Sequence, residues 1–254
     1  HYLEKARELR LRPLLRLDFP FMVIGPFSPY QSEVTREDLA GFEKFCLAVV
    51  SRYGGYVKDW EILNETNSSF IYYFSPKNYL LIAQAGARAI KAKDPGAQVY
   101  GPACGGLNIM QAYWNPVNYL HDLLSPLSPP PPGLLSLVDV FSCHPYRFPH
   151  ARPGSIPEYS SDYPPRHTPY QAQITRLRPA LDAASGKKDF PLAATEIGFT
   201  TQSQDGTSPG LSKRTQAKYE QRSAILDFCL GIRPRIQFAF ERNLDGLSGF
   251  QRGF

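Results

Sequence analysis

Short apolar runs alternate along this chain with longer segments in which apolar residues recur every three or four positions. This alternation predicts β-strands separated by amphipathic α-helices. The predicted strands cover residues 12–17, 60–65, 98–102, 137–143, 192–196 and 236–240. The clearest helical repeat follows the first strand and consists of Leu39, Phe42, Cys46, Val49 and Tyr53.

Start and stop signals mark the boundaries of two predicted helices. Thr35, followed by an acidic turn that contains Asp38, predicts a helix start, because a threonine hydroxyl can accept a hydrogen bond from an unpaired helical N–H. Gly54 ends that helix, and Ser75 before Pro76 starts the next one. Further helices are predicted at residues 112–124, 168–185 and 213–230, and residues 1–10 are predicted to be the end of another.

The order of these elements predicts an α/β fold in which helices cover a parallel sheet. A doubly wound sheet would fit the number of strands. Polar residues at nearly every strand end favour a (β/α)8 TIM barrel, because the active site of that fold collects the carboxyl ends of its strands. Six predicted strands fall short of eight, and the chain begins inside a helix. We therefore expect a single catalytic domain over residues 1–254 that lacks the first two strands of the barrel.

Composition and charge exclude several classes of function. The chain has 254 residues, 43% of them hydrophobic and 20% charged, which suits one barrel-sized domain with a large core. Its net charge is +5, but the sequence has no basic stripe with interleaved aromatic residues. No apolar run reaches membrane-spanning length, and the four cysteines lack metal-ligand spacing. We predict no nucleic-acid partner, no membrane insertion, no metal and no other cofactor.

Two predicted strands end in a glutamate. The strand that begins at Trp60 closes with Asn64 and Glu65, and the strand that begins at Leu192 closes with Glu196. In a barrel these side chains would meet at one edge, where two carboxyl groups can serve as acid/base and nucleophile in glycoside hydrolysis. Glu65 is the predicted acid/base and Glu196 the predicted nucleophile, and the Asn64 amide is predicted to contact a substrate hydroxyl or the partner carboxylate. Two unrelated carboxylates that bind a cation or cap helices are the alternative.

A third glutamate, Glu61, shares the strand parity of Glu65, so both side chains are predicted to face the barrel interior. A buried carboxylate needs a partner. Arg16 on the neighbouring strand is the predicted partner, and we expect this pair to be structural.

Further candidates for substrate contacts lie at strand ends or carry aromatic rings. His144 could touch the acid or a sugar hydroxyl, although a satisfied core histidine would give the same pattern. Tyr146 could hydrogen-bond the nucleophile, and Arg147 could reach an acidic sugar or lie on the surface. Glu241, after the last predicted strand, could contact substrate or form a structural ion pair. Two aromatic side chains are candidates for stacking on sugar rings: Trp114 and Phe240.

Three segments resemble the fourth, sixth and seventh strands of clan A glycoside hydrolases, and within that clan family 39 with its bacterial exopolysaccharide endoglycosidases. They are Trp-Glu-Ile-Leu-Asn-Glu (60–65), Phe-Ser-Cys-His-Pro-Tyr-Arg (141–147) and Ala-Thr-Glu-Ile-Gly-Phe (194–199). The resemblance implies a TIM barrel, an oligo- or polysaccharide substrate, and retaining hydrolysis with Glu65 as acid/base and Glu196 as nucleophile. Endo action and a secreted or periplasmic location are favoured. The last predicted strand departs from the family, since it reads Phe-Ala-Phe-Glu-Arg where such enzymes often place tryptophan or tyrosine with acidic residues.

Two other functions compete with this interpretation. A non-catalytic carbohydrate-binding barrel would have no need of both glutamates. A metal-dependent barrel enzyme would have to use His144 together with carboxylates, but the sequence has no His-x-His or similar ligand spacing.

Overall fold

The computed structural model describes residues 2–18, 34–68, 72–105, 119–125, 133–145, 170–199 and 211–237. Its helices are α1 (Tyr2–Glu8), α2 (Arg36–Tyr53), α3 (Pro76–Lys93), α4 (Tyr119–Leu124), α5 (Tyr170–Ser185) and α6 (Lys213–Cys229). Its strands are β1 (Leu14–Leu17), β2 (Asp59–Ile62), β3 (Asn67–Ser68), β4 (Tyr72–Tyr73), β5 (Gln98–Gly105), β6 (Val140–His144), β7 (Leu192–Ile197) and β8 (Ile232–Gln237). A 3₁₀ turn at Leu134–Ser136 precedes β6. None of the helices in these ranges is long and apolar enough to span a membrane.

Six strands form one parallel sheet in the order β1-β2-β5-β6-β7-β8, while β3 and β4 form a separate antiparallel pair. The sheet follows chain order apart from that hairpin, as expected for part of a TIM barrel, and we call it the half-barrel. The predicted parallel α/β architecture with its six strands is therefore confirmed. The two strands expected to precede them remain a prediction.

Helices cover one face of the half-barrel. The buried core joins apolar residues of α2, α3 and α5 to strand residues such as Trp60 and Phe141, both of which are fully buried. The opposite face carries a smaller apolar layer contributed by four strands of the sheet, β1, β5, β6 and β7: Leu14, Tyr100, Val140 and Ala193. Such layers of side chains fill the interior of TIM barrels.

Capping side chains set the starts of α2 and α3 where the sequence predicted them. The Thr35 hydroxyl accepts from the Asp38 N–H at 3.1 Å, and the Asp38 carboxylate accepts from the Thr35 N–H at 3.0 Å, which completes a capping box. The Ser75 hydroxyl accepts from the Asn78 N–H at 3.2 Å, and Pro76 occupies the first helical position. These side chains satisfy backbone N–H groups of the first turn in both helices.

A polar network closes the amino-terminal edge of the sheet. The buried carboxylate of Asp59, the first residue of β2, accepts from Nη2 of Arg12 at 2.7 Å and from the Tyr100 hydroxyl at 3.1 Å. This network, which we call the lower network, ties the segment before β1 to two neighbouring strands. It lies at the edge that supports stability rather than chemistry in barrels of this kind.

The predicted start of the last strand was wrong. The strand begins at Ile232 rather than at residue 236 and includes Arg233 and Pro234, although proline is uncommon inside strands. Both residues are exposed on the outermost described strand, where a missing proline N–H removes no ladder hydrogen bond. The hairpin of β3 and β4 was missed because each strand has only two residues, too few to show a period.

Candidate active site

Glu65, His144 and Glu196 meet at the carboxyl-terminal edge of the half-barrel. His144 is the last residue of β6, Glu196 is next to last in β7, and Glu65 follows β2 after a short turn. Nδ1 of His144 lies 3.0 Å from Oε1 of Glu65 and 3.8 Å from Oε2 of Glu196. One oxygen of Glu65 and one of Glu196 lie within 4.8 Å of each other. The structure thus brings together residues that are far apart in sequence, as the barrel prediction requires.

The three side chains differ in their access to solvent. The His144 ring is 1% exposed, whereas the carboxyl groups of Glu65 and Glu196 are each 16% exposed. A substrate can therefore reach both carboxyl groups while the imidazole holds its position beneath them. Depending on its tautomer, Nδ1 of His144 either donates a proton to Glu65 or accepts one from it. The sequence predicted that His144 touches either the acid or a sugar hydroxyl, and in the structure it contacts the predicted acid, Glu65.

The backbone around Glu65 adopts conformations that L-residues rarely take. Leu63, Glu65 and Ala103 have φ values of 64°, 42° and 51°. Each such conformation costs on the order of 1–3 kcal/mol and is found mainly at functional sites. Backbone hydrogen bonds hold them in place: the Leu63 N–H donates to the Leu17 carbonyl at 3.1 Å, and the Glu65 N–H donates to the Ala103 carbonyl at 2.9 Å. The sequence predicted that β2 would run to Glu65, but the strand ends at Ile62 because the chain turns here.

A short stretch after the turn lies against the end of β5. The Gly105 N–H donates to Oδ1 of Asn67 at 2.8 Å, and Nδ2 of Asn67 donates back to the Gly105 carbonyl at 3.2 Å. The Glu65 side chain packs directly over Gly105, so that a Cβ at this glycine would stand 3.1 Å from the carboxyl carbon of Glu65. Sequence reasoning missed both residues. The only signal was the glycine pair at 105–106, which lay beyond the predicted end of that strand.

Asn64 is held by Arg16. Nη1 of Arg16 donates to Oδ1 of Asn64 at 2.6 Å, and its Nε donates to Asp18 at 3.0 Å. This hydrogen bond orients the Asn64 amide, whose nitrogen is its donor group. The predicted contact with a substrate hydroxyl remains a prediction. The predicted ion pair between Arg16 and Glu61 is not formed: their α-carbons are in register, but the guanidinium binds Asp18 and Asn64 instead.

Glu61 lies buried just below the site, 3% exposed. Its Oε1 has no hydrogen-bond partner within the described part of the chain. Burial raises the pKa of Glu61, while His144, the hydroxyls of Thr195 and Ser142, and Arg16 act in the opposite direction. The pKa of this buried carboxyl group is therefore raised above that of an exposed glutamate.

Five of the predicted substrate contacts lie outside the described residues: Trp114, Tyr146, Arg147, Phe240 and Glu241. Their roles remain predictions.

Glu65, His144 and Glu196 could also hold a metal ion, because each offers one ligand atom and these atoms lie within 4.8 Å of one another. One imidazole and two carboxylates with an open position resemble the ligand set of catalytic zinc sites. The same three residues also satisfy the geometry of a metal-free acid/base and nucleophile pair.

Comparison with known proteins gives matches in structure only. No known family profile matches the chain, and no curated protein matches its sequence. The fold is shared with a family 39 glycoside hydrolase from the gut symbiont Bacteroides cellulosilyticus WH2, with a TM-score of 0.68 and 19% identity. It is also shared with a glucosidase from Croceicoccus marinus (TM-score 0.67, 17% identity) and a GH39 enzyme from Xanthomonas axonopodis pv. citri (TM-score 0.57, 18% identity).

These matches cover 100%, 99% and 94% of this chain, but only 48%, 47% and 46% of the matched proteins. The chain therefore spans about half the length of each. At these identities the comparison establishes the fold, and the resemblance to clan A glycoside hydrolases of the family 39 type, predicted from three short segments, is confirmed at that level.

Proposed function

We propose that this protein is a retaining glycoside hydrolase that cleaves β-glycosidic bonds within a polysaccharide. The observation that carries the proposal is the distance of at most 4.8 Å between carboxyl oxygens of Glu65 and Glu196 at the carboxyl-terminal edge of the sheet. Retaining glycosidases hold their two carboxyl groups about 5–5.5 Å apart, whereas inverting ones leave about 6.5–9.5 Å for a water molecule. The close approach of one oxygen from each carboxyl group supports the retaining arrangement.

The proposed mechanism has two steps. In the first, Glu196 attacks the anomeric carbon while Glu65 donates its proton to the departing glycosidic oxygen, which leaves a covalent glycosyl ester on Glu196. In the second, Glu65 takes a proton from a water molecule, whose oxygen attacks the same carbon and releases Glu196. The proton that Glu65 loses in the first step is thereby recovered from water in the second. His144, whose Nδ1 lies 3.0 Å from Glu65 and 3.8 Å from Glu196, can hold the Glu65 carboxyl group in position through both steps.

The names of the structural neighbours support a carbohydrate substrate, since they include a glucosidase and family 39 enzymes. Cleavage inside the polysaccharide, rather than at its end, follows from the resemblance of the strand-end motifs to exopolysaccharide endoglycosidases. Arg16 beside Asn64 and the net charge of +5 are compatible with an acidic polysaccharide.

We expect the first-formed product to keep the β-configuration of the substrate. The measurement is proton NMR of the anomeric signal during the first minutes of hydrolysis, before mutarotation, with aryl β-glycosides or an oligosaccharide as substrate. Appearance of the α-anomer first would contradict the two-step mechanism and favour direct attack by water.

A metal-dependent hydrolase is the second candidate, favoured by the converging ligand atoms of Glu65, His144 and Glu196. We expect activity to be unchanged within about twofold after dialysis against a chelator, because the proposed mechanism needs only proton and carbon–oxygen bond chemistry. Elemental analysis of the purified protein is the matched measurement. Loss of activity on chelation, with recovery on adding zinc, would support the metal mechanism.

A further inference from the structure

We propose that Gly105 and Asn67 are positioning residues that set the orientation of the Glu65 carboxyl group. This inference rests on the proposed function, because it assigns the two residues to the proton-transfer role of Glu65. Neither residue can exchange a proton with a substrate, since one has no side chain and the other is a neutral amide. They act through Glu65 alone.

The first argument is the direct contact between Gly105 and the whole Glu65 side chain. A Cβ built on Gly105 would stand 3.1 Å from Cδ, 3.2 Å from Cγ and 3.4 Å from Cβ of Glu65. The first two distances are shorter than ordinary van der Waals contact, so the carboxyl group would have to move by a few tenths of an ångström. The glycine therefore provides the surface on which the carboxyl group of Glu65 rests.

The second argument is the set of hydrogen bonds that lays the stretch 65–67 against the end of β5. The Glu65 N–H donates to Ala103, the Thr66 hydroxyl donates to the Pro102 carbonyl at 3.2 Å, and Asn67 exchanges two hydrogen bonds with Gly105. These contacts hold the backbone from Pro102 to Gly105. Because Asn67 provides both an acceptor and a donor, its amide also fixes the distance between Gly105 and the hairpin of β3 and β4.

The third argument is that the position of Glu65 has to be maintained against strain. Its φ of 42° is unfavourable for a residue with a side chain. Its Oε1 must nevertheless stay 3.0 Å from Nδ1 of His144. A displacement of a few tenths of an ångström lengthens this hydrogen bond and misdirects the proton, and small errors in position are costly in proton transfer.

The test is Gly105→Ala, with Gly55→Ala as the matched control. A Cβ at Gly55 meets nothing within 4 Å, and neither glycine has a positive φ, so alanine adds no backbone strain at either position. We expect kcat/KM for aryl β-glycosides with poor leaving groups to fall at least ~10-fold in Gly105→Ala. For dinitrophenyl-type leaving groups, which depart without a proton, kcat/KM should stay within about twofold.

Asn67→Ala provides a second variant that adds no atoms to the site. It removes both hydrogen bonds to Gly105 and should give the same selective loss with poor leaving groups, because the carboxyl group loses its fixed support. Circular dichroism would verify that each variant is folded. A loss that is equal for all leaving groups, or equal in Gly55→Ala, would overturn the inference.

A crystal structure of Gly105→Ala gives a readout that does not depend on activity. We expect the distance between Oε1 of Glu65 and Nδ1 of His144 to lengthen by a few tenths of an ångström, and an unchanged distance of about 3.0 Å would overturn the inference. The two proposals fail differently. If Glu65→Gln keeps its activity, the proposed function fails, whereas if only Gly105→Ala and Asn67→Ala behave like the wild type, the positioning role alone fails.

Discussion

Glu65→Gln and Glu196→Gln are each expected to lower turnover at least ~100-fold while the protein stays folded. A glutamine at position 65 cannot protonate the leaving oxygen, and a glutamine at position 196 cannot form the glycosyl ester. Both side chains are partly exposed, so replacing a carboxylate with an amide of the same size leaves the packing unchanged. Initial rates on an oligosaccharide or an aryl β-glycoside are the measurement.

Glu37→Gln is the matched control, because Glu37 is an exposed residue of the first turn of α2. It should retain the wild-type rate.

Azide distinguishes the roles of the two glutamates in alanine variants. In Glu65→Ala, azide can attack the glycosyl ester without help from a base, so it should partly restore turnover of an activated substrate. Glu196→Ala forms no glycosyl ester, so azide has no such ester to attack. Near-normal activity in Glu65→Gln or Glu196→Gln would refute the assignment. Binding of oligosaccharide without cleavage by the wild type would favour a carbohydrate-binding barrel.

The free energy of unfolding should decrease with rising pH because of Glu61. Burial raises the pKa of Glu61 above the value of about 4.3 for glutamic acid in an unfolded chain. The folded state therefore keeps its proton at pH values where the unfolded chain has lost it. The stabilisation is complete below the unfolded pKa and is lost progressively until the folded carboxyl group also ionises. Each unit of difference between the two pKa values corresponds to about 1.4 kcal/mol.

Glu61→Gln should remove this decrease, because glutamine resembles the protonated acid at every pH. The measurement is the free energy of unfolding of both proteins, obtained with denaturant from about pH 4 to about pH 8. The contributions of other titrating groups, such as Asp38 and Asp94 with their lowered pKa values, cancel in the difference between the two proteins. We expect the variant to be equal to the wild type in acid and more stable at neutral pH. Parallel curves would show that Glu61 ionises in the folded protein as it does in the unfolded chain.

The sequence was most informative where local chemistry decides the structure. The starts of α2 and α3 could be predicted because Thr35 and Ser75 satisfy helical N–H groups through atoms only three residues away. The meeting of Glu65 and Glu196 could be expected because parallel strands place their carboxyl ends at one edge. These inferences need only the capping residues, the periodicity of apolar residues and the presence of polar residues at strand ends.

The sequence was least informative where long-range contacts decide between partners. Arg16 is in register with Glu61, yet its guanidinium extends to Asp18 and Asn64, both of which lie beyond the ends of their strands. Gly105 could not be recognised as part of the site, because its role depends on the Glu65 side chain that packs over it in the folded protein. No periodicity or spacing in the sequence reveals that contact.

The lower network has a consequence for protein engineering. Asp59 and Glu65 belong to the same strand and the turn after it, and at ~3.3 Å per residue they are separated by up to ~20 Å. Arg12 and Tyr100 hold Asp59 at the edge away from the reacting groups. Directed evolution for heat tolerance can therefore randomise the surroundings of Arg12 and Tyr100 while the sequence around Glu65 stays constant. Libraries of this design separate selection for thermal stability from selection for catalytic turnover.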